Sequence, residues 1–170
     1  MSNKSELAGK QKLQQQRTEL RNTLWSDEID SISIWNRKTH NGFTTIPRTL
    51  PQIGRIMDKF SGKGKPLSST YLSLWCNVFD EGFLEIEDKH RFAFESGFSS
   101  ERAVTTWISR MRKLEELGFI LSKPGTNGDF NYVLLINPYS AIQKLYGNHP
   151  KDDAYNALVA RMMKVGAKFE

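Results

Sequence analysis

Apolar side chains recur every three or four positions between residues 101 and 117, a spacing that places them on one face of a helix. Ser99 and Ser100 precede this pattern and are predicted to cap the helix, because a serine hydroxyl accepts from the free N–H groups of a first turn. Gly118 ends the pattern. We therefore predict a long helix whose buried face is formed by Val104, Trp107, Ile108, Met111 and Leu114.

The opposite face of this helix carries hydroxyls and cations. An ordinary solvated face mixes charge signs, with glutamate and lysine four residues apart. The glutamates of this helix are predicted to lie elsewhere, which leaves a face suited to phosphates and base edges. A solvated face on which the charges segregate by chance is the alternative interpretation. The face is formed by Arg102, Thr105, Thr106, Ser109 and Lys113, with Arg110 and Arg112 beside it.

A short charged helix and a turn precede the long helix, and two apolar runs follow it. The short helix is predicted over residues 88–95 and the turn over residues 96–100. The apolar runs, Phe119–Leu121 and Tyr132–Ile136, are typical of strands. Residues 123–129 join them and contain Pro, Gly and Asn-Gly, which supply the backbone angles of a hairpin turn. The sequence therefore predicts a β-hairpin after the long helix.

Two helices are predicted ahead of this stretch. Thr49 is the expected cap of the first, which has Pro51 in its first turn and ends near Ser61. Residues 63–66 form a basic loop without the glycine spacing of a phosphate-binding loop. The second helix, over residues 67–79, is apolar enough to be buried on nearly all sides. It is followed by Asp80, Glu81 and Gly82 and by a short predicted strand, Phe83–Ile86.

Two further helices are predicted after the hairpin. Pro138 starts the first, which ends near Tyr146. The second extends from Asp152 to about Val165 and carries an apolar stripe. The stripe either packs on its own domain or forms a dimer contact, and both alternatives stay open. Its members are Tyr155, Leu158, Val159, Met162 and Met163.

The first 48 residues are polar and basic. Residues 1–24 are rich in glutamine with a net charge of +3, which predicts a flexible or partly helical basic arm. A DNA-tracking arm and a dimerisation helix are the alternatives. Residues 25–48 are irregular, and Asn41-Gly42 predicts a turn or a small hairpin there. Arg37, Lys38 and Arg48 form a second basic cluster, which either grips phosphates or is a solvated loop.

Composition limits the classes of function. The length of 170 residues suits one domain, or one domain with tails, and a net charge of +5 favours polyanionic partners. Cys76 is the lone cysteine and is expected to be a buried structural thiol. No apolar run reaches the length of a membrane span, so a cytoplasmic protein without membrane contact is expected. The three histidines lie far apart, and no nucleophile or cofactor motif is present, so neither a metal, a cofactor nor enzymatic activity is expected.

Helix, glycine turn, long helix and β-hairpin is the order of elements in winged helix-turn-helix DNA-binding proteins, and residues 49–138 resemble that family. The resemblance implies a mainly α fold with a small antiparallel β-sheet, in which strand 83–86 joins the hairpin as a third strand. Extra helices extend both ends. The expected segments are a basic arm (1–24), an irregular segment (25–48), a winged-helix domain (49–147) and a C-terminal helix (148–170) that is a candidate dimerisation element.

The resemblance also implies double-stranded DNA binding, with a homodimer as a candidate assembly. Proteins of this kind act as sequence-specific transcriptional regulators or as accessories of plasmids and other mobile elements in replication, partition or transfer. Ser99, Ser100, Arg102, Thr105, Thr106, Ser109 and Lys113 fall where the recognition helix of the family meets the major groove, with Arg110 beside them. Lys123, Asn127 and Asn131 fall on the wing.

Two other functions remain open. A winged helix that binds protein and not DNA is the first alternative, although its recognition helix is expected to be apolar or of mixed charge. Binding of single-stranded nucleic acid is the second, and it requires exposed aromatic side chains on a sheet. The aromatic residues of this chain are expected to be mostly buried.

Overall fold

The computed structural model describes residues 2–79 and 81–169, which form seven helices and three strands. The predicted class, mainly α with a small antiparallel sheet, is confirmed. The chain divides into two compact units, one ending at Phe43 and one beginning at Thr44. The elements are α1 (Ser2–Leu24), α2 (Leu50–Ser61), α3 (Ser68–Asn77), β1 (Phe83–Glu85), α4 (Lys89–Glu95), α5 (Ala103–Glu116), β2 (Ile120–Gly125), β3 (Gly128–Leu135), α6 (Pro138–Gly147) and α7 (Asp153–Val165).

The N-terminal unit contains α1 and a series of turns. The predicted arm is one continuous helix, and its side chains from Leu7 to Leu24 are all exposed. No strand occurs in residues 25–48, all of which the structure describes, so the alternative of a small hairpin at Asn41-Gly42 is wrong. Gly42 has a φ of 76° and forms a bend, but the residues on either side of it form no backbone ladder.

Hydrogen bonds and ring contacts shape residues 35–43, where the sequence allowed a small hairpin. The Asn36 carbonyl accepts from the backbone N–H groups of Thr39 at 3.0 Å and His40 at 2.9 Å, which closes a turn. Trp35 stacks on the His40 ring, with centroids 6.3 Å apart, and meets Phe43 edge to face at 5.8 Å. These contacts replace the strand pairing that the Asn-Gly pattern suggested.

The second unit is built around one hydrophobic core. Trp107, Tyr71, Phe92 and Phe119 are its largest fully buried side chains, and burial of each contributes about 1.5–3 kcal/mol. Trp107 of α5 contacts Phe92 of α4 and Phe130 of β3, each with centroids 6.2 Å apart. The core therefore fixes α5 between the short helix before it and the hairpin after it.

Helix α2 occupies the predicted residues, but its capping differs from the expectation. Thr49 is the N-cap residue and makes no side-chain cap. Its buried hydroxyl lies 2.6 Å from the Tyr139 hydroxyl of α6 instead. Pro51 lies in the first turn, and Gly62 ends the helix with a φ of 93°. Thr49 thus ties two helices together.

Helix α3 is buried on one side only, which corrects the prediction of burial on nearly all sides. Tyr71 and Leu74 are buried where α3 packs against α2, α4 and α5. Leu72 and Cys76, four residues apart, share an exposed side. The prediction of a buried thiol is therefore wrong, because neighbouring elements cover one side of α3 and Cys76 lies on the other side.

The end of α3 also exposes aromatic surface. The helix ends at Asn77, two residues earlier than predicted, and Asp80 lies outside the described residues. Phe79 beyond the helix is 88% exposed. The expectation that the aromatic residues are mostly buried is therefore corrected. Other exposed aromatic side chains are Trp25, Trp35, Phe43, Phe83 and Phe94.

The three strands form an antiparallel sheet in the order β1-β3-β2. Leu84, Val133 and Ile120 are buried on its inner face. Both strands of the hairpin extend into the predicted turn, which shrinks to Thr126 and Asn127. The outer face is apolar yet exposed, with Phe83 and Leu121 both lying opposite Leu134 and with Phe83 stacked on Tyr132 at 6.3 Å.

The C-terminal helices α6 and α7 pack within the second unit. Leu158 and Met162 of α7 are buried, and α7 packs against α2. Asp152 caps α7, forms an ion pair with Lys59 of α2 and accepts from the Tyr146 hydroxyl at 3.0 Å. Leu158 and Met162 of the apolar stripe therefore pack within the chain, which is the first of the two alternatives. Homodimerisation stays a prediction.

Candidate nucleic-acid interface

The approach to α5 differs in detail from the prediction. The helix begins at Ala103, with Arg102 in the N-cap position and no side-chain cap. Ser99 and Ser100 are exposed and do not cap the helix, so that prediction is wrong. The Ser100 carbonyl accepts from the Ala103 N–H at 2.8 Å, which forms a turn ahead of the helix. The two serine hydroxyls consequently remain at the surface beside Arg102.

The turn between α4 and α5 is held by side-chain and backbone hydrogen bonds. Asp88 caps α4 by accepting from the N–H groups of His90 and Arg91. At the other end, the buried Ser96 hydroxyl donates to the Phe92 carbonyl at 2.7 Å. Gly97 follows with a φ of 89°, a backbone conformation that glycine adopts without strain. These contacts set the angle at which the chain enters α5.

The exposed face of α5 is a row of cations and hydroxyls. Trp107, Met111 and Leu114 are fully buried on the opposite side. The exposed residues follow one another at spacings of three, four and three, so they lie along one line of the helix surface. We call this line the outer row, and it consists of Arg102, Thr105, Ser109 and Arg112.

Three other predicted contact residues lie on the flank of the outer row. Thr106, Arg110 and Lys113 are half-buried. The Arg110 guanidinium lies over the Phe98 ring, 5.7 Å from its centroid, and its Nε is buried. These side chains therefore border the outer row and do not belong to it.

Glu116 corrects the prediction that the outer face carries no acid. It lies four residues after Arg112, one helical turn further along the same line, and it is exposed. Its carboxylate pairs with the Lys113 ammonium at 2.7 Å. Glu115, by contrast, accepts from the N–H and hydroxyl of Ser122 at 2.8 Å each and so holds β2 to the helix. The acid-free part of the face ends at Arg112.

The β2–β3 hairpin, the predicted wing, offers fewer contact residues than expected. Lys123 and Asn127 are exposed, and the Asn127 carbonyl accepts from Lys89 of α4 at 2.6 Å. Asn131 is 0% exposed, so its assignment to the wing surface is wrong. Its side chain accepts from the Asn127 N–H and donates to the Ile86 carbonyl, each at 3.2 Å. Asn131 is therefore a buried support of the wing.

The predicted second basic cluster is split between the two units. Arg37 and Lys38 belong to the N-terminal unit, where Arg37 lies over the Phe43 ring at 5.6 Å. Arg48 belongs to the second unit and is exposed. Its carbonyl accepts from Arg161 of α7 at 3.5 Å.

A polar pocket lies on the flank of α5 and was missed by the sequence analysis. It has a volume of ≈ 280 Å³. The loop between α2 and α3 contributes Lys65, which the sequence placed only in a basic connecting loop. The pairing of this loop with α5 is a tertiary contact that local spacing does not encode. We call it the flank pocket, and the residues that matter here are Lys65, Ser109, Arg110, Arg112, Lys113 and Glu116.

Within the described residues, no cluster of three or more histidine, cysteine, aspartate or glutamate side chains has an arrangement that would hold a metal ion. In the same part of the chain, no helix has the length and hydropathy to cross a membrane. Models of protein families, curated proteins and solved structures gave no match to this chain. The proposal for its function therefore rests on its own geometry.

Proposed function

We propose that the chain binds double-stranded DNA through a winged helix-turn-helix. The supporting feature of the fold is the order α3, β1, α4, α5, β2, β3, with β1 added beside the hairpin in a β1-β3-β2 sheet. In this arrangement α5 is the recognition helix and the β2–β3 hairpin is the wing. The buried Trp107 and Asn131 hold α5 and the wing on one core.

The outer row is the observation that carries the proposal. An α-helix fits the major groove, where arginine binds a guanine edge with two hydrogen bonds and hydroxyls reach bases or phosphates. Arg102, Thr105, Ser109 and Arg112 present this chemistry over about three turns without an intervening acid. A solvated helix that only needs solubility has no reason to separate its charges in this way.

The charge distribution supports phosphate contacts around this helix. Lys123 lies exposed on β2, the strand that follows α5. The wing tip contributes less, because Asp129 lies 3.6 Å from Arg112 and opposes a close approach to phosphates. The wing therefore contacts the backbone through Lys123 and does not insert deeply into the minor groove.

Site selection from a pool of random duplexes tests sequence-specific binding. Enrichment of a common motif, followed by a footprint, would support the proposal and reveal one half-site or two. Two half-sites about one helical turn apart are expected of a dimeric regulator. A single or reiterated site beside an origin or transfer region is expected of a mobile-element accessory. A pool that stays random would contradict specific recognition by the outer row.

Protein binding is the second candidate, and the outer face of the sheet favours it. Phe83, Leu121 and Leu134 are between 43% and 55% exposed on this face. Contiguous apolar patches of this kind are typical of interaction sites. Leu121→Ser should leave duplex binding unchanged if the outer row binds DNA, whereas Arg102→Ala should reduce it. The reverse pattern would favour the sheet as the functional surface.

A further inference from the structure

The flank pocket carries an excess of positive charge. Four of its side chains are cationic and one is acidic. Glu116 pairs with Lys113 alone, while Arg112 has only a 3.6 Å contact with the exposed Asp129, which solvent screens. A concave surface lined by one sign of charge concentrates counter-ions. The pocket is therefore suited to an anion.

Arg110 supplies the second observation. Its Nε is buried and has no hydrogen-bond partner among the residues that the structure describes. The residue lines the flank pocket, and its guanidinium carries further N–H donors that suit an anion. Trp107 Nε1 is also buried without a hydrogen-bond partner, and it lies in the apolar core. Arg110 differs because it lines a pocket that opens to solvent.

The loop that brings Lys65 to the pocket is fixed before any ligand binds. The Ser61 hydroxyl donates to the Lys65 carbonyl at 2.6 Å. Asp58 accepts from the N–H groups of Leu67 at 2.6 Å and Ser68 at 2.9 Å. The backbone on both sides of Lys65 is thus held, so little backbone entropy is lost when its ammonium meets an anion.

We propose that the flank pocket binds one phosphoryl group. Its volume of ≈ 280 Å³ leaves room for a phosphoryl group. Arg110 and Lys65 are the primary ligands, and Ser109 supplies a hydroxyl. Glu116 competes with the phosphoryl group for Lys113.

The phosphoryl group has two chemical sources. One is a phosphodiester of the DNA backbone beside α5, and this source rests on the proposed function. The other is inorganic phosphate or a small phosphate monoester in solution, and this source is independent of the proposed function. The loop that contains Lys65 lacks the glycine spacing of a phosphate-binding loop, and the other cations of the pocket come from α5.

The first arm of the test measures the binding of inorganic phosphate to the full chain. Line broadening in the ³¹P spectrum of inorganic phosphate is recorded at constant ionic strength. Lys65→Gln is expected to weaken binding about tenfold through loss of one charge-assisted hydrogen bond. Lys63→Gln is the matched control, because Lys63 is exposed in the same loop and does not line the pocket. Glu116→Gln is expected to tighten binding by freeing Lys113.

The second arm measures duplex DNA over a salt series. Lys65→Gln is expected to reduce the slope of log affinity against log salt by roughly 0.9, the value for one phosphate contact. Lys63→Gln should leave the slope unchanged. Thermal unfolding of each variant checks that both loop variants are folded.

The two arms separate the possible outcomes. A Lys65-specific effect on the DNA slope, without free phosphate binding, assigns the pocket to the DNA backbone. Specific phosphate binding by a chain that binds no duplex would end the proposed function and leave the pocket as a phosphate or monoester site. Equal effects of Lys63→Gln and Lys65→Gln in both arms, or no effect in either, would overturn the proposal that the flank pocket binds a phosphoryl group.

Discussion

Arg102 is the cation at the start of the outer row, and it forms no ion pair within the described residues. Its guanidinium is therefore free to bind a base edge. Arg102→Ala should weaken binding to a selected duplex site by about 1–3 kcal/mol and reduce discrimination between sites. Arg55→Ala, which removes an exposed arginine from α2, is the control. Unchanged affinity and selectivity for Arg102→Ala would mean that the outer row is not the recognition surface.

Tyr71 gives a prediction about stability and pH. Burial raises the pKa of its hydroxyl above the ordinary 10.0, and the neighbouring Trp75 opposes this shift only in part. Because the unfolded chain releases this proton first, the free energy of unfolding should fall as the pH rises above 10.0. Tyr71→Phe should preserve stability at neutral pH and reduce this alkaline loss. Urea unfolding on both sides of that pH measures it, and an identical alkaline loss in both proteins would contradict the prediction.

Single residues also mark the limit of sequence-based prediction. The spacing of apolar residues in α5 was sufficient to identify Trp107, Met111 and Leu114 as buried. Asn131 and Cys76 were misassigned, because a polar residue was assumed to face water and an apolar neighbourhood was assumed to bury a thiol. Their environments depend on which other segments pack beside them. Asn131 is buried and bonds to Asn127 and Ile86, and Cys76 is exposed.

At the scale of elements, α3 depends on a cap supplied from outside its own sequence. Asp58, in α2, accepts from the N–H groups of Leu67 and Ser68 and from the Ser68 hydroxyl at 2.8 Å. Asp58→Ala should lower the free energy of unfolding by about 1–2 kcal/mol, as loss of a helix cap does. Asp30→Ala, at an exposed position, is the control. Equal urea midpoints for the two variants would show that this cap does not stabilise α3.

Element positions were predicted better than element surroundings. The apolar patterns located the helices and strands of residues 49–165 to within a few positions, since helix and strand periodicities are local properties. The capping by Asp58 was missed because its partners lie nine and ten residues away. The flank pocket was missed for the same reason, since Lys65 lies in the loop between α2 and α3 whereas the arginines lie on α5.

At the scale of the whole molecule, α1 carries exposed cations of its own. If α1 follows the DNA backbone, replacing Lys10, Lys12 and Arg17 by Gln should weaken binding equally on all sequences. The salt slope should fall by roughly 0.9 for each phosphate that the variant no longer neutralises. Gln11→Ala, Gln14→Ala and Gln16→Ala together form the control, since they change the same helix without changing its charge. A slope unchanged by the charge variant would remove α1 from the DNA interface.

The most direct test of duplex binding is fluorescence anisotropy over a salt series. Labelled probes are a random duplex, the duplex that flanks the native gene, and one of its single strands. We expect the log of the affinity to fall linearly with the log of the salt concentration on both duplexes. We also expect the native duplex to be bound more tightly than its single strand and to stay bound at physiological salt. Absence of binding to either duplex at low salt would contradict DNA binding and leave the exposed sheet face as the functional surface.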